Sequence, residues 1–197
     1  MKRSFVLAAC ILPLLIGNAA GQANIVPDPR PRLPPQPGQG LPLEDLRFLE
    51  RGMDQSVIQI KIGELAAKRA SDEALSQLGS RVATDHEQIR QKLTELAQRR
   101  GVAVSARTPN EAWRGTIDQL QRQSGEDFDR AFLDVQLKIG QQLVALYQTQ
   151  ASNSTDTGLA SFAITTLVQL QQHFATAQQL GAQHGLSPET VEPPPQY

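Results

Sequence analysis

The sequence predicts an all-α protein, a four-helix bundle with one short extra helix, and three observations carry that reading. Apolar residues recur at intervals of three and four through most of the middle of the chain. Hydrophobic residues make up 40% of the 197 residues but aromatics only 5%, so the core is built from Leu, Ile, Val and Ala, which suit packed helices better than a sandwich. The link Arg69-Ala70-Ser71 between the first two periodic stretches is short enough to make them antiparallel neighbours.

The chain opens on "MKRSFVLAACILPLLIGNAAGQA", with Lys2 and Arg3 ahead of an apolar run from Phe5 to Ile16 and small residues up to Ala23. This is the layout of a secretory signal, assigned to residues 1–23, and the run is too short for a comfortable bilayer anchor. Export is therefore expected, with no transmembrane helix in the mature chain. Leu7-Ala8-Ala9-Cys10 imitates a lipoprotein cleavage box, but apolar sequence continues past it to Ile16, so Cys10 is read as part of the signal and not as a lipidation site. Cleavage near Ala20 or Ala23 leaves a mature protein without cysteine, which removes disulfides, thiolate catalysis and Cys-based metal sites together.

Residues 24–42, "NIVPDPRPRLPPQPGQGLP", are too rich in Pro and Gly for a helix or a central strand and read as an extended linker. The bundle is assigned to residues 43–185 and a disordered tail to 186–197, whose sequence runs "SPETVEPPPQY" after Leu186.

Within the bundle, residues 43–69 carry Leu46, Leu49, Met53, Val57, Ile60 and Ile62 to Leu65 as an apolar face. Residues 72–100 are clearer, with Leu75, Leu78, Val82, His86, Ile89, Leu93 and Leu96 inward, Ser71 as the cap and Gly101 as the left-handed terminator. A short helix is predicted from "TPNEAW", with Thr108 capping, Pro109 at the first helical position, Glu111 completing a capping box, and Trp113, Ile117 and Leu120 on one side as a cover or crossover. Residues 126–151 turn Phe128, Phe132, Val135, Ile139, Leu143 and Leu146 inward. Residues 156–184 do the same with Leu159, Ala163, Thr166, Leu170, His173, Ala177 and Leu180. The Gln-rich outer positions, such as Gln171 and Gln178, are helix formers on a solvated face.

A net charge of −1 without a basic stripe argues against a nucleic-acid partner. The chain has no Gly-rich phosphate loop, nucleophile elbow or short His-Glu zinc motif. What remains is a pair of histidines, His86 and His173, at inward positions of two different helices. Bundles that bind two metals take a Glu from each of two helices and a Glu-x-x-His pair from each of the others. Here Ala83 precedes His86 by three and Leu170 precedes His173 by three, while Asp85 and Glu87 should point about 100° away from the face of His86. On these residues alone a buried, hydrogen-bonded histidine is favoured over a ligand. His184 is read as a helix C-terminal residue, and Asp127 and Asp129 as first-turn acids favoured by the helix dipole. Tyr147 and Trp113 are read as core.

Three phrases together, "GMDQSVIQIKIGELAAKRASDEALSQLGSRVATDHEQIRQKLTELAQRRGV", "SGEDFDRAFLDVQLK" and "LVQLQQHFATAQQL", resemble the bacterial domain-of-unknown-function 4142 family over about residues 43–184. The resemblance implies a ferritin-like bundle in an exported protein; members are often labelled predicted outer-membrane proteins. It also implies an inward polar set of one first-helix Glu and three His, of which His86 and His173 are kept while Gln59 and Gly140 stand at the other two positions. Gln59 offers a carbonyl oxygen without charge, and Gly140 offers no ligand.

The functional expectation is thus a non-enzymatic, exported bundle of the periplasm or outer membrane, with no catalytic residues, no cofactor and an unknown partner. The alternative is a metal-binding protein for metal handling or oxidative defence, in which His86, His173 and Gln59, with water, hold a zinc or copper ion. A third reading uses the Pro-rich arm as a tether for a partner-binding bundle.

Overall fold

The computed structural model describes residues 40–105, 109 and 111–186. The segment read as a signal, most of the Pro-rich linker and the tail after Leu186 lie outside the described residues. Five helices follow in order: α1 (Leu43–Arg69), α2 (Glu73–Gln98), α3 (Glu111–Arg122), α4 (Gly125–Asn153) and α5 (Thr157–Gln183), with no strand among the described residues.

Local chemistry sets the ends. Pro42 precedes α1, whose first turn holds Glu44 and Asp45 and whose last holds Lys68 and Arg69, each matching the sign of the helix dipole. Asp72 caps α2 by accepting from the Ala74 amide at 2.7 Å, and Asp156 caps α5 by accepting from Leu159 at 2.9 Å. Gly101, at φ 65°, closes α2 while Val102 N–H donates to the Ala97 carbonyl at 3.0 Å; a side chain at that φ would be strained.

The topology follows from which ends meet. Asp129, near the start of α4, contacts the α1–α2 turn, and Gln150, near its end, contacts Asp45 at the start of α1, so α4 runs antiparallel to α1. Arg100 after α2 pairs with Asp156 before α5, and His184 after α5 meets Asp72 before α2, so α2 and α5 are antiparallel too. Two hairpins, α1–α2 and α4–α5, therefore pack side by side, α1 against α4 and α2 against α5. Since α2 and α4 run in the same direction, the connection between them must travel the length of the bundle, the single long crossover of ferritin-like folds. That crossover contains α3, which buries Trp113 and Leu120 and packs on α1 and α4. Arg69 fastens it by donating to the Gln121 and Gln123 carbonyls, each at 2.7 Å.

The α1–α2 hairpin is drawn together by two glycines. A Cβ on Gly63 would lie 2.6 Å from the Gly79 carbonyl oxygen, and one on Gly79 would lie 2.6 Å from the Ala66 Cβ. Only hydrogen fits at both positions, which lets the backbones approach closely.

Every inward residue read from the sequence on α2 and α5 is buried. On α1 Leu49, Met53 and Ile62 are buried as read, but the face as a whole is rotated from the expected one. Asp45, Phe48, Gly52, Gln55, Ser56 and Gln59 are buried, whereas Leu46, Val57, Ile60 and Leu65 are only half-buried. Polar and glycine positions hid the inner stripe, because α1 faces α2 and α4 at once. Two caps also differ. Asp72, not Ser71, caps α2, since the Ser71 hydroxyl donates to Asp129. α3 starts at Glu111, later than the sequence reading, and Thr108 lies outside the described residues.

Candidate functional site

His86 and His173 project from α2 and α5 into the same layer of the bundle, with ring centroids 6.2 Å apart. Both are removed from solvent, at 1% and 8% exposure. Their seams supply Val82 and Ile89 on one side and Leu170 and Ala177 on the other, all buried and none a donor or acceptor through its side chain.

Asp85, which the sequence reading turned away from His86, contacts the other histidine: its Oδ2 lies 2.8 Å from His173 Nε2. One residue's rotation about α2 carries it off the seam of His86 and toward α5. An ionised carboxylate only accepts, so His173 Nε2 carries the hydrogen and Nδ1 is left with a lone pair. That Nδ1 is buried without a hydrogen-bond partner, as are both ring nitrogens of His86. Burial, and then the neighbouring His173, push the His86 pKa down to about 3, so the ring is neutral. Burial also lowers that of His173; Asp85 opposes this, and the nearby Arg81 adds to it. Two neutral imidazoles with unused lone pairs thus share one buried layer of the bundle.

Gln59 takes a different partner. Its amide and that of Gln136 on α4 are doubly hydrogen bonded, Gln136 Nε2 donating at 2.9 Å and Gln59 Nε2 donating back at 3.3 Å. Both are buried. Gly140 is no vacancy either, because a Cβ there would lie 2.6 Å from Cδ2 of Phe174, whose ring occupies the space. The di-metal arrangement of ferritin-like bundles therefore does not fit these residues: amides stand on α1 and α4, and the carboxylate of Asp85 is bonded to an imidazole. Among the described residues no group of three or more His, Cys, Asp or Glu side chains is placed to hold a metal ion.

The other polar candidates serve the fold. Asp129 is buried and accepts from the Ser71 and Asp72 amides at 3.0 and 3.1 Å and from the Ser71 hydroxyl at 2.5 Å, pinning the α1–α2 turn to α4. The expected role at its own helix dipole is replaced by this clamp, while Asp127 stays exposed in the first turn. Glu87 pairs with Arg90 on the surface of α2 at 2.6 Å. His184 ends α5 as expected and also lies 3.2 Å from Asp72. Tyr147 is fully buried against Phe48, ring centroids 5.0 Å apart, and burial pushes its hydroxyl pKa up.

Comparisons with known proteins agree with this architecture. A crystal structure of a presumed secreted protein, DUF305, from Streptomyces coelicolor superposes with a TM-score of 0.60 at 15% sequence identity, covering 73% of this chain and 95% of that one. At that identity the likeness speaks for the fold alone. Comparison with curated proteins finds no match. The model of the domain of unknown function DUF4142 matches residues 31–180, well over half of the sequence, and the chain belongs to that family.

Proposed function

We propose that this is an exported, non-enzymatic helical bundle acting as a binding or structural module of the bacterial envelope. The observation that carries the non-enzymatic reading is that three of the inward polar groups are engaged by the fold itself: Gln59 with Gln136, Asp45 with Gln150, and Asp129 with the α1–α2 turn. Such contacts specify helix register. Support for export is the signal layout of residues 1–23, joined by the presumed secretion of the DUF305 protein. No described helix is long and apolar enough to cross a membrane.

The test is expression of the full chain in a Gram-negative host, with fractionation and mass determination of the product. The proposal requires a processed chain beginning near residue 20–24 in the periplasmic or outer-membrane fraction. It also requires no ferrous oxidation or peroxide consumption above buffer. An unprocessed cytoplasmic product, or turnover in either assay, defeats it.

A second reading, metal binding at His86 and His173, is favoured by one observation. Three buried ring nitrogens lack partners, although buried polar groups are ordinarily satisfied.

A further inference from the structure

We infer that His86 and His173 form a two-coordinate site for a single monovalent cation of the copper group, Cu(I) or Ag(I), with Asp85 as the positioning carboxylate. This rests on the second reading above and names its ion class and its geometry.

The distance is the first argument. Two metal–nitrogen bonds of about 2 Å each, plus about 1 Å from each ring centre to its nitrogen, give roughly 6 Å between centroids when the nitrogens face one ion in line. The observed separation is 6.2 Å. The rings need no common plane for this, so their tilt of 43° is no obstacle.

The second argument is the protonation pattern. In metal sites a ligating histidine usually gives its other N–H to a carboxylate, which fixes the tautomer and raises ligand basicity. His173 does this toward Asp85 at 2.8 Å, leaving Nδ1 as a buried free donor of electrons. His86 has neither nitrogen bonded, and its neutral ring carries one free lone pair, on Nδ1 or Nε2 according to the tautomer.

Ligand count and charge then select the ion. The seam neighbours Val82, Ile89, Leu170 and Ala177 offer no further donors, Gln59 is joined to Gln136, and the ring of Phe174 fills the space beside Gly140. A tetrahedral or octahedral divalent ion wants four to six ligands, whereas copper-group monovalent ions accept two nitrogen donors in line. One positive charge is balanced by the single carboxylate of Asp85. A second would stand uncompensated in a low-dielectric interior. His173 keeps 8% exposure, so the pair is not wholly sealed from solvent.

Silver(I) is the probe because it needs no reductant. The full chain is used with Cys10→Ser, which removes a competing thiol, and is titrated with silver nitrate and separately with zinc. Calorimetry and nitrogen NMR of the imidazoles are the readouts. The inference requires one silver per chain at the high-affinity step and displaced resonances for His86 and His173. The double variant His86→Phe/His173→Phe must lose that step, and Asp85→Asn must bind about 10–100-fold more weakly. Silver retained by the double variant overturns the inference. Should that variant not fold, unchanged imidazole resonances in the parent protein overturn it equally. If zinc binds the pair and silver does not, the ion class is wrong while the metal reading survives; if neither binds, both fall.

Discussion

Two glycine-to-alanine substitutions on helices should act with opposite sign, and the structure gives the reason for each. Gly115 lies on the exposed side of α3, and a Cβ there would meet nothing within 4 Å. Alanine adds only helix propensity, about 1 kcal/mol of stability, or roughly 2–4 °C in Tm for a chain of this size. Gly79 gains the same propensity but has no room. Its Cβ would stand 2.6 Å from the Ala66 Cβ, 2.8 Å from the Gly63 carbonyl oxygen and 2.9 Å from the Ala67 amide nitrogen. Two of the three are backbone atoms, so no side chain can rotate aside, and α1 and α2 must part by roughly 1 Å to restore ordinary contact distances. Overpacking of this kind costs about 1–3 kcal/mol or more, which outweighs the propensity gain. Urea unfolding followed by circular dichroism measures both variants against the parent. Gly79→Ala should lower the midpoint and Gly115→Ala should raise it. A Gly79→Ala variant as stable as Gly115→Ala would show that the hairpin is not closely packed there, and the account of its glycines would fail.

Asp129→Ala should destabilise by about 1–3 kcal/mol, since it removes a buried carboxylate that holds two partly buried backbone donors of the α1–α2 turn and one hydroxyl; Asp127→Ala, on the exposed side, should change urea stability by under about 1 kcal/mol. Gln59→Leu or Gln136→Leu alone should cost about 1–3 kcal/mol by leaving the other amide unsatisfied. The double variant should recover most of that loss, and additivity of the two in a double-mutant cycle would disprove the pairing. For metal-free protein, stability should fall on acidification below pH 6.5. The His86 pKa is lowered to about 3 in the fold, so between those values the unfolded chain binds a proton that the native chain refuses. The contribution is whole above pH 6.5, loses about 2 kcal/mol by pH 5, and goes on falling toward pH 3. His86→Leu should flatten this slope, and an unchanged slope in chelator-treated samples would contradict the burial of a neutral ring.

The helical period, read alone, determined the class of fold, the number of helices and the inner faces of α2 and α5, because those helices bury an almost wholly apolar stripe at regular spacing. It identified His86 and His173 as inward for the same reason: each replaces an apolar residue in an unbroken pattern. What it could not resolve was anything set by a neighbour distant in sequence. Asp85 is an ordinary surface acid until α5 brings His173 to within 2.8 Å of it. Gln59 is one helix-forming glutamine among many until Gln136, 77 residues away, closes its amide pair. Asp129 looks like a first-turn acid, yet its partners are the backbone donors of a turn 57 and 58 residues earlier. Gly140 reads as a lost ligand, although in the packed bundle it is the space that Phe174 requires. Apolar burial has no direction, so one-dimensional periodicity reports it. Hydrogen bonds and close approaches depend on the angle and distance between particular groups, and only the assembled helices set those.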